Sequence, residues 1–382
     1  MTESNQVAEQ TTDKAQEQSS ADGLEEGRIR VALKRPGGFA LDVDIAVRAG
    51  GGVTTLFGSS GCGKTTVLRS AAGLEHAHGL VRIAGHLWQD DASGVFVPTC
   101  ERRLGYVFQE ASLFPHLDVE QNISYGLKRR RDPKGRERLA EAVELLGIGG
   151  LLKRRPAQLS GGERQRCAIA RALASRPEAL FMDEPLAALD HARRLEIMPW
   201  LERIKRELNI PVIYVTHSEE EVLRLADDLV VMETGRVVDA GPVARVWHDL
   251  NVRAGNRAAR STLVVARVTE RDARWGLVKV VAGGAWFWVR DHGAAIGSTV
   301  RLMIEADNVS LSVGRPSQTS IQNVFCCRAK AILPGRDEAR RLVELDAGET
   351  TLLAEVTARA ASELALEPGM TLWAQVKSVA VH

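Results

Sequence analysis

The sequence predicts an α/β unit built on a mostly parallel sheet, followed by a smaller all-β unit of barrel or sandwich type. Three observations carry this. From about Arg28 to His248, short apolar runs alternate with stretches of helical period, as in strands joined by crossover helices. Beyond about Asn256 the chain turns Val-rich and glycine-punctuated, with short strand-like runs and little helical period. At 382 residues the chain can bury two separate cores, at roughly 100–200 residues per domain. The expected limits are 1–27 for a tail, 28–255 for the α/β unit and 256–382 for the β unit.

The elements follow in order. "MTESNQVAEQTTDKAQEQSSADGLEEG" is polar and acidic and has almost no large apolar side chain, so it is expected to be disordered. It also lacks the apolar stretch of a secretory signal. "VTTLF" reads as a buried strand, with "TTVLRSAAGL" as a helix shortly after it. "LGYVF", "ALFMD", "VIYVT" and "LVVM" read as further buried strands, separated by helical stretches such as "LEIMPWLERIKREL". Between Val119 and Pro156 strand character is lost. There "GRERLAEAVELLGI" sets Leu139, Val143 and Leu146 on one face, which predicts a small helical insert over about 110–160. In the β unit, "GRPSQTS", Gly314 to Ser320, reads as a linker between two halves.

Composition narrows the class. Hydrophobic content of 45% and charged content of 26% are ordinary for a soluble globular chain. A formal net charge of +1 leaves no basic excess to neutralise a nucleic-acid backbone, so no nucleic-acid partner is expected. The basic run "KRRRDPKGRER" contains Pro133 and Gly135 and reads as a solvated loop, with acidic lipid head groups as the alternative. No window reaches the roughly 18 consecutive apolar residues a membrane span needs. The five cysteines, Cys62, Cys100, Cys167, Cys326 and Cys327, are scattered and lack zinc-ligand spacing, which fits a reducing compartment. Cys326 and Cys327 are neighbours, so a strand would turn them to opposite faces.

The chemistry concentrates in a few motifs. "GSSGCGKTT", Gly58 to Thr66, follows a strand and opens a helix, the context of a P-loop. Gly58, Ser59, Ser60, Gly61, Cys62 and Gly63 form a turn whose backbone N–H groups can face phosphates; Thr66 closes the motif. Lys64 suits the β- and γ-phosphates of ATP, and the Thr65 hydroxyl suits Mg²⁺. "ALFMDEP" ends an apolar strand with two carboxylates. Asp183 there can hold Mg²⁺, and Glu184 can polarise an attacking water. His217 in "YVTHS" ends another strand within reach of a γ-phosphate. Gln109 in "YVFQEASLF" ends a strand before the helical insert, where its amide can touch Mg²⁺ or water. A second Ser-Gly-Gly opens a helix in "QLSGGERQRCAIARAL", and a helix N-terminus is an anion site.

With "GSSGCGKTT", "LSGGERQR" and "FMDEPLAALD" together, the sequence resembles the nucleotide-binding subunits of ABC transporters. That resemblance implies a P-loop NTPase with a RecA-like core and a homodimer docked head to tail. Ser160, Gly161 and Gly162 of each chain would then cap the γ-phosphate held by the other. It implies Mg²⁺ on Thr65, Gln109 and Asp183, Glu184 as catalytic base, and catalytic parts for His217, Gln109 and Lys64. Asp190 would sit at the dimer seam. Phe39 in "GGFALDV" is the candidate for stacking on adenine, although this region departs from the family's common tyrosine pattern. The family also implies integral membrane permease subunits as partners, an exported oxyanion-binding protein indirectly, and a peripheral place on the cytoplasmic face of the inner membrane.

The β unit resembles the molybdate-binding, TOBE-type domain of molybdenum-importer ATPases, most specifically in "TSIQN" and "AQVKSV". This implies an ATP-hydrolysing importer subunit for molybdate. An importer for sulfate, tungstate or iron, a soluble ABC ATPase and a cytosolic oxyanion sensor are the alternatives. Ser320, Lys377 and Ser378 are the implied oxyanion contacts. Gln322 stands where the family commonly carries arginine, which removes a positive charge from that pocket.

Overall fold

The computed structural model describes residues 27–48, 50–130, 132–253 and 260–381. Residues 1–26 of the expected tail, and the expected limit at 255/256, lie outside the described residues. The chain divides into two compact units, with the division between Gly241 and Pro242.

In the first unit the strands are β1 (Gly27–Lys34), β2 (Ala40–Val47), β3 (Gly52–Phe57), β4 (His78–Ile83), β5 (His86–Asp90), β6 (Val95–Phe96), β7 (Leu104–Val107), β8 (Ala179–Asp183), β9 (Pro211–Thr216), β10 (Asp228–Glu233) and β11 (Arg236–Pro242). The helices are α1 (Lys64–Ala72), α2 (Val119–Arg130), α3 (Gly135–Leu145), α4 (Gly161–Ala174), α5 (His191–Glu207) and α6 (Glu219–Leu225). The strands form one sheet in the order β6-β5-β4-β1-β2-β11-β10-β3-β9-β8-β7. From β10 to β7 neighbouring strands run parallel. The strands β2, β1, β4, β5 and β6 pair antiparallel.

Burial explains the difference between the two halves. Every residue of β8 and β9 is buried, as strands covered on both faces require. Successive side chains point to opposite faces, so β8 feeds two cores. Leu180 and Met182 join the core with the α2–α5 helices, while Ala179 and Phe181 join the core with α1. In β9, Val212 and Tyr214 face the first of these cores and Ile213 and Val215 the second. Full burial of such a side chain contributes roughly 1.5–3 kcal/mol. By contrast β2 alternates exposed and buried along its length, as a half-covered strand does.

The helical insert appears as α2 and α3 leading into α4. Leu146 is fully buried, and Leu139 and Val143 pack partly buried against the same core, which matches the face read from the sequence.

Among its described residues, the second unit holds α7 (Val243–Arg253), α8 (Ala358–Glu363) and ten strands. These are β12 (Ser261–Asp272), β13 (Leu277–Ala282), β14 (Ala285–Arg290), β15 (Thr299–Glu305), β16 (Val309–Ser312), β17 (Asn323–Pro334), β18 (Arg340–Ala347), β19 (Thr350–Thr357), β20 (Thr371–Val376) and β21 (Ala380–Val381). They make two five-stranded sheets, β14-β13-β12-β15-β21 and β16-β20-β17-β18-β19. One apolar cluster, from Val264 to Val376, draws on both sheets. The long strands β12 and β17 each carry a register shift, and such bulges bend a sheet toward closure. Asn323 ties the sheets together: its amide accepts from the Trp288 N–H at 2.7 Å and donates to the Trp288 carbonyl at 3.1 Å. The result is the all-β, OB-like architecture expected. Residues 314–320 connect β16 to β17, and Cys326 is exposed while Cys327 is buried.

Candidate nucleotide-binding site

The site lies where β3, β8 and β9, three adjacent parallel strands, end on the same edge of the sheet. The crevice outside the carboxyl ends of such strands is where open α/β sheets bind ligands.

After β3 the chain turns through Gly58–Gly63 into α1. Two glycines make that turn possible. A Cβ at Gly58 would come 2.3 Å from the Met232 carbonyl oxygen. Gly63 caps α1 at φ 108, and a Cβ there would press on Leu41 and Phe39. A larger residue at either position would fill the cradle or strain it. Phe39, the adenine-stacking candidate, therefore lies directly against the phosphate-binding turn, with the Arg35 guanidinium 5.7 Å from its ring centroid. Ser59, Ser60, Gly61 and Thr65 are exposed along the rim.

Lys64 is 3% exposed, and its ammonium donates to the carbonyls of Gly58 and Ser59 at 2.9 and 2.8 Å. A cation held inside its own turn by backbone oxygens is positioned for a polyphosphate entering the cradle. The Thr65 hydroxyl donates to Asp183 Oδ1 at 2.8 Å, and the Tyr106 hydroxyl donates to Asp183 Oδ2 at 3.3 Å. Burial pushes the Asp183 carboxyl up, while the two hydroxyl donors pull it back. The same burial, with the nearby Asp183 charge, pushes the Tyr106 phenol up. A hydroxyl and a carboxylate in contact are the hard-oxygen donors that suit Mg²⁺.

Glu184 adopts φ 43, unusual for a residue with a side chain, and its N–H donates to the Val215 carbonyl at 3.0 Å. Holding a non-glycine residue there costs of order 1–3 kcal/mol, which the surrounding sheet must offset. The bend directs the carboxylate between the Lys64 ammonium and the His217 imidazole: 3.9 Å from Lys64 Nζ and 3.1 Å from His217 Nδ1. Thus Lys64, Thr65, Asp183, Glu184 and His217, far apart in the chain, form one connected constellation.

Other expected residues lie elsewhere. Gln109 is exposed and shares a pocket of about 370 Å³ with Gly161, Arg164 and Pro185. Ser160 caps α4: its Oγ accepts from the Glu163 N–H at 3.2 Å, and Glu163 Oε2 accepts from the Ser160 N–H at 2.7 Å. Gly161 and Gly162 let α4 approach Leu189 and Ile197, since added Cβ atoms would come within 2.8 and 3.3 Å of them. Asp190 caps α5 by accepting from the Arg193 N–H at 2.9 Å. In the second unit, Ser320, Lys377 and Ser378 are exposed, and the Lys377 N–H donates to the Asn308 carbonyl at 2.9 Å. The Asn323–Val376 pairing sets the 320–322 and 377–378 segments at the same end of their sheet.

Tyr106 was missed from sequence. Its role follows only from strand pairing: Tyr106 pairs with Phe181 in register, and Asp183 lies two residues on, on the same face.

Comparisons with known proteins agree with this geometry. The ABC transporter family model matches residues 42–187, and the TOBE domain model matches residues 319–382. The chain is 51% identical over 359 residues to the molybdenum import ATP-binding protein ModC of Thiobacillus denitrificans, covering 93% of this chain and 97% of that protein. It is also 51% identical over 361 residues to the ModC protein of Methylococcus capsulatus, covering 94% and 99% respectively. Among solved structures, cbiO1 of Clostridium perfringens, part of an ABC transporter complex, matches at 27% identity with a TM-score of 0.51. That match covers 60% of this chain and 96% of cbiO1. With P-loop, strand-end carboxylates, second Ser-Gly-Gly and β unit in the expected order, the chain belongs to the family of molybdenum import ATP-binding proteins, nucleotide-binding ABC transporter ATPases with a C-terminal TOBE domain.

Proposed function

We propose that the chain is the ATP-hydrolysing subunit of a molybdate importer, working as a homodimer on the cytoplasmic face of the inner membrane. Separate integral membrane permease subunits would carry the anion, delivered to them by an exported oxyanion-binding protein. Near full-length identity to molybdenum import ATP-binding proteins supports the cargo. No helix among the described residues is long and apolar enough to cross a membrane, which supports leaving the translocation path to other subunits. The observation that carries the ATPase chemistry is the Glu184 carboxylate held between Lys64 and His217, beside the Thr65–Asp183 pair.

In this reading the 28–255 segment binds ATP in the Gly58–Thr66 cradle, with Phe39 against adenine. Lys64 exchanges its backbone carbonyl partners for β- and γ-phosphate oxygens. Thr65 and Asp183 would hold Mg²⁺, joined by the Gln109 amide moving in from its own pocket, and the ion would neutralise charge on the phosphates. Glu184 takes a proton from the attacking water as the water oxygen bonds to the γ-phosphorus. The bond to the β–γ bridging oxygen breaks, leaving ADP and phosphate. His217 holds Glu184 through Nδ1 and offers Nε2 to a γ-phosphate oxygen, so developing charge is met by pre-placed donors. Ser160, Gly161 and Gly162 close on the γ-phosphate bound by the partner subunit. The Ser160 hydroxyl accepts within its own helix and so keeps its proton to donate. Ser320, Lys377 and Ser378 of the 256–382 segment supply donors for a regulatory oxyanion.

The decisive experiment replaces Glu184 with Gln. That variant should bind ATP and dimerise, with turnover lowered on the order of 10²–10⁴-fold, the usual contribution of a positioned general base. Wild-type turnover by the variant would remove Glu184 from the base role. Competition by sulfate and tungstate in a reconstituted transport assay tests the cargo.

A further inference from the structure

Glu221 is a buried carboxylate, 4% exposed, in the first turn of α6 and four residues beyond His217. Its Oε2 accepts two hydroxyls at 2.8 Å, one from Tyr214 and one from Thr216. The Thr216 oxygen in turn accepts from the Ser218 N–H at 3.0 Å, and Ser218 Oγ accepts from the Glu221 N–H at 3.4 Å. The residues immediately before and after His217 are therefore both tied, directly or through one bond, to a single carboxylate. His217 itself is exposed and depends on its backbone for placement; its ring meets Glu184 at 3.1 Å. The network also reaches Glu184 from below, because Val215, between Tyr214 and Thr216, accepts the Glu184 N–H.

A buried carboxylate satisfied by two hydroxyls is costly to leave unpaired and rigid once paired. We propose that Glu221 is a positioning residue, an internal anchor that fixes the turn carrying His217 so that its imidazole meets Glu184 in one geometry. Glu221 touches no substrate; it acts through His217, and the inference rests on the role proposed for that histidine. Burial also pushes the Glu221 carboxyl up, with the Tyr214 and Thr216 hydroxyls and the Arg194 charge opposing it, so ionisation at this site depends on the network staying intact.

The test is steady-state ATP hydrolysis by the full chain carrying Glu221→Ala, Glu221→Gln, Tyr214→Phe or Thr216→Val, each alone and together with His217→Ala. Glu221→Ala should lower kcat about 10-fold or more with KM for ATP within about two-fold, the pattern of lost transition-state contact rather than lost binding. Glu221→Gln should recover much of that loss, because its amide oxygen can accept the same hydroxyls. On the His217→Ala background, Glu221→Ala should cost less than about two-fold more, since residues acting as one unit are non-additive. Should Glu221→Ala fail to fold, Tyr214→Phe and Thr216→Val carry the same comparison with smaller losses. Full multiplication of the two effects, or a change in KM alone, overturns the positioning role while leaving His217 in place. A His217→Ala enzyme with wild-type turnover overturns both the role of His217 and this inference.

Discussion

At Asp183 two hydroxyls converge, one from the P-loop helix and one from the neighbouring strand. Both favour the ionised carboxylate against the burial that opposes it. Tyr106→Phe removes one of them without changing shape, so the carboxyl should move further up and hold a divalent cation less well. The expected outcome is a few-fold rise in the Mg²⁺ concentration giving half-maximal ATPase activity, the scale of one hydrogen bond worth about 1 kcal/mol. Maximal turnover at saturating Mg²⁺ should change little. Unchanged Mg²⁺ dependence would reduce Tyr106 to packing. Lys64, Thr65, Asp183, Glu184 and His217 were legible in the sequence because each sits next to a strand end or a glycine turn, where local pattern marks it. Tyr106 and Glu221 were not, because a lone tyrosine inside a strand and a glutamate in a run of three acquire meaning only through partners brought in by the fold.

Arg102 shows how an element is held from outside itself. It is 1% exposed, and its guanidinium donates to the carbonyls of Ala71, Val97 and Trp88 at 2.7, 2.8 and 3.4 Å. Burial pushes it down to about 10. Ala71 belongs to the last turn of α1, so the cation meets the negative end of the helix that begins at the phosphate cradle. Gly73, at φ 74, leaves the space: a Cβ there would come 2.6 Å from the guanidinium carbon. Arg102→Met should strand the Ala71 and Val97 carbonyls, while that of Trp88 keeps the Val97 N–H at 2.8 Å, and cost about 3 kcal/mol, from buried acceptors left without donors. Thermal unfolding should show a lower midpoint, with ATP affinity weakened because α1 carries Lys64 and Thr65. An unshifted midpoint would mean that water replaces the guanidinium.

The sequence reading of elements divides along the same physics. The parallel strands were legible because burial on both faces writes continuous apolar runs such as "ALFMD". The strands β4, β5 and β6 were not, since they span 6, 5 and 2 residues and are partly exposed, too short for a period to stand out.

At the scale of the whole molecule, the N-terminus of α4 is finished as a helix end, and the proposed homodimer would set it against the partner's nucleotide. Its capping box satisfies Ser160 and Glu163 mutually, yet Ser160 is exposed, with Gly161 beside it. Ser160 bonds within its own helix, and the buried Lys64 bonds within its own turn, so each is held by its own segment. In the proposed homodimer an isologous pairing would bring the α4 end of each chain to the other's cradle, and such symmetry would yield two equivalent composite sites. The consequence is complementation. Lys64→Ala removes the cradle's cation but leaves α4 intact; Ser160→Arg obstructs α4 but leaves the cradle intact. Each variant alone should be inactive. Mixed in equal amounts, they should form heterodimers in which the Lys64 of one chain faces the native Ser160 of the other, and ATP hydrolysis should return. Its dependence on total protein concentration should follow dimer formation. A mixture as inactive as its parts, under conditions where heterodimers are detected by sedimentation, would mean that both half-sites serve a nucleotide within one chain.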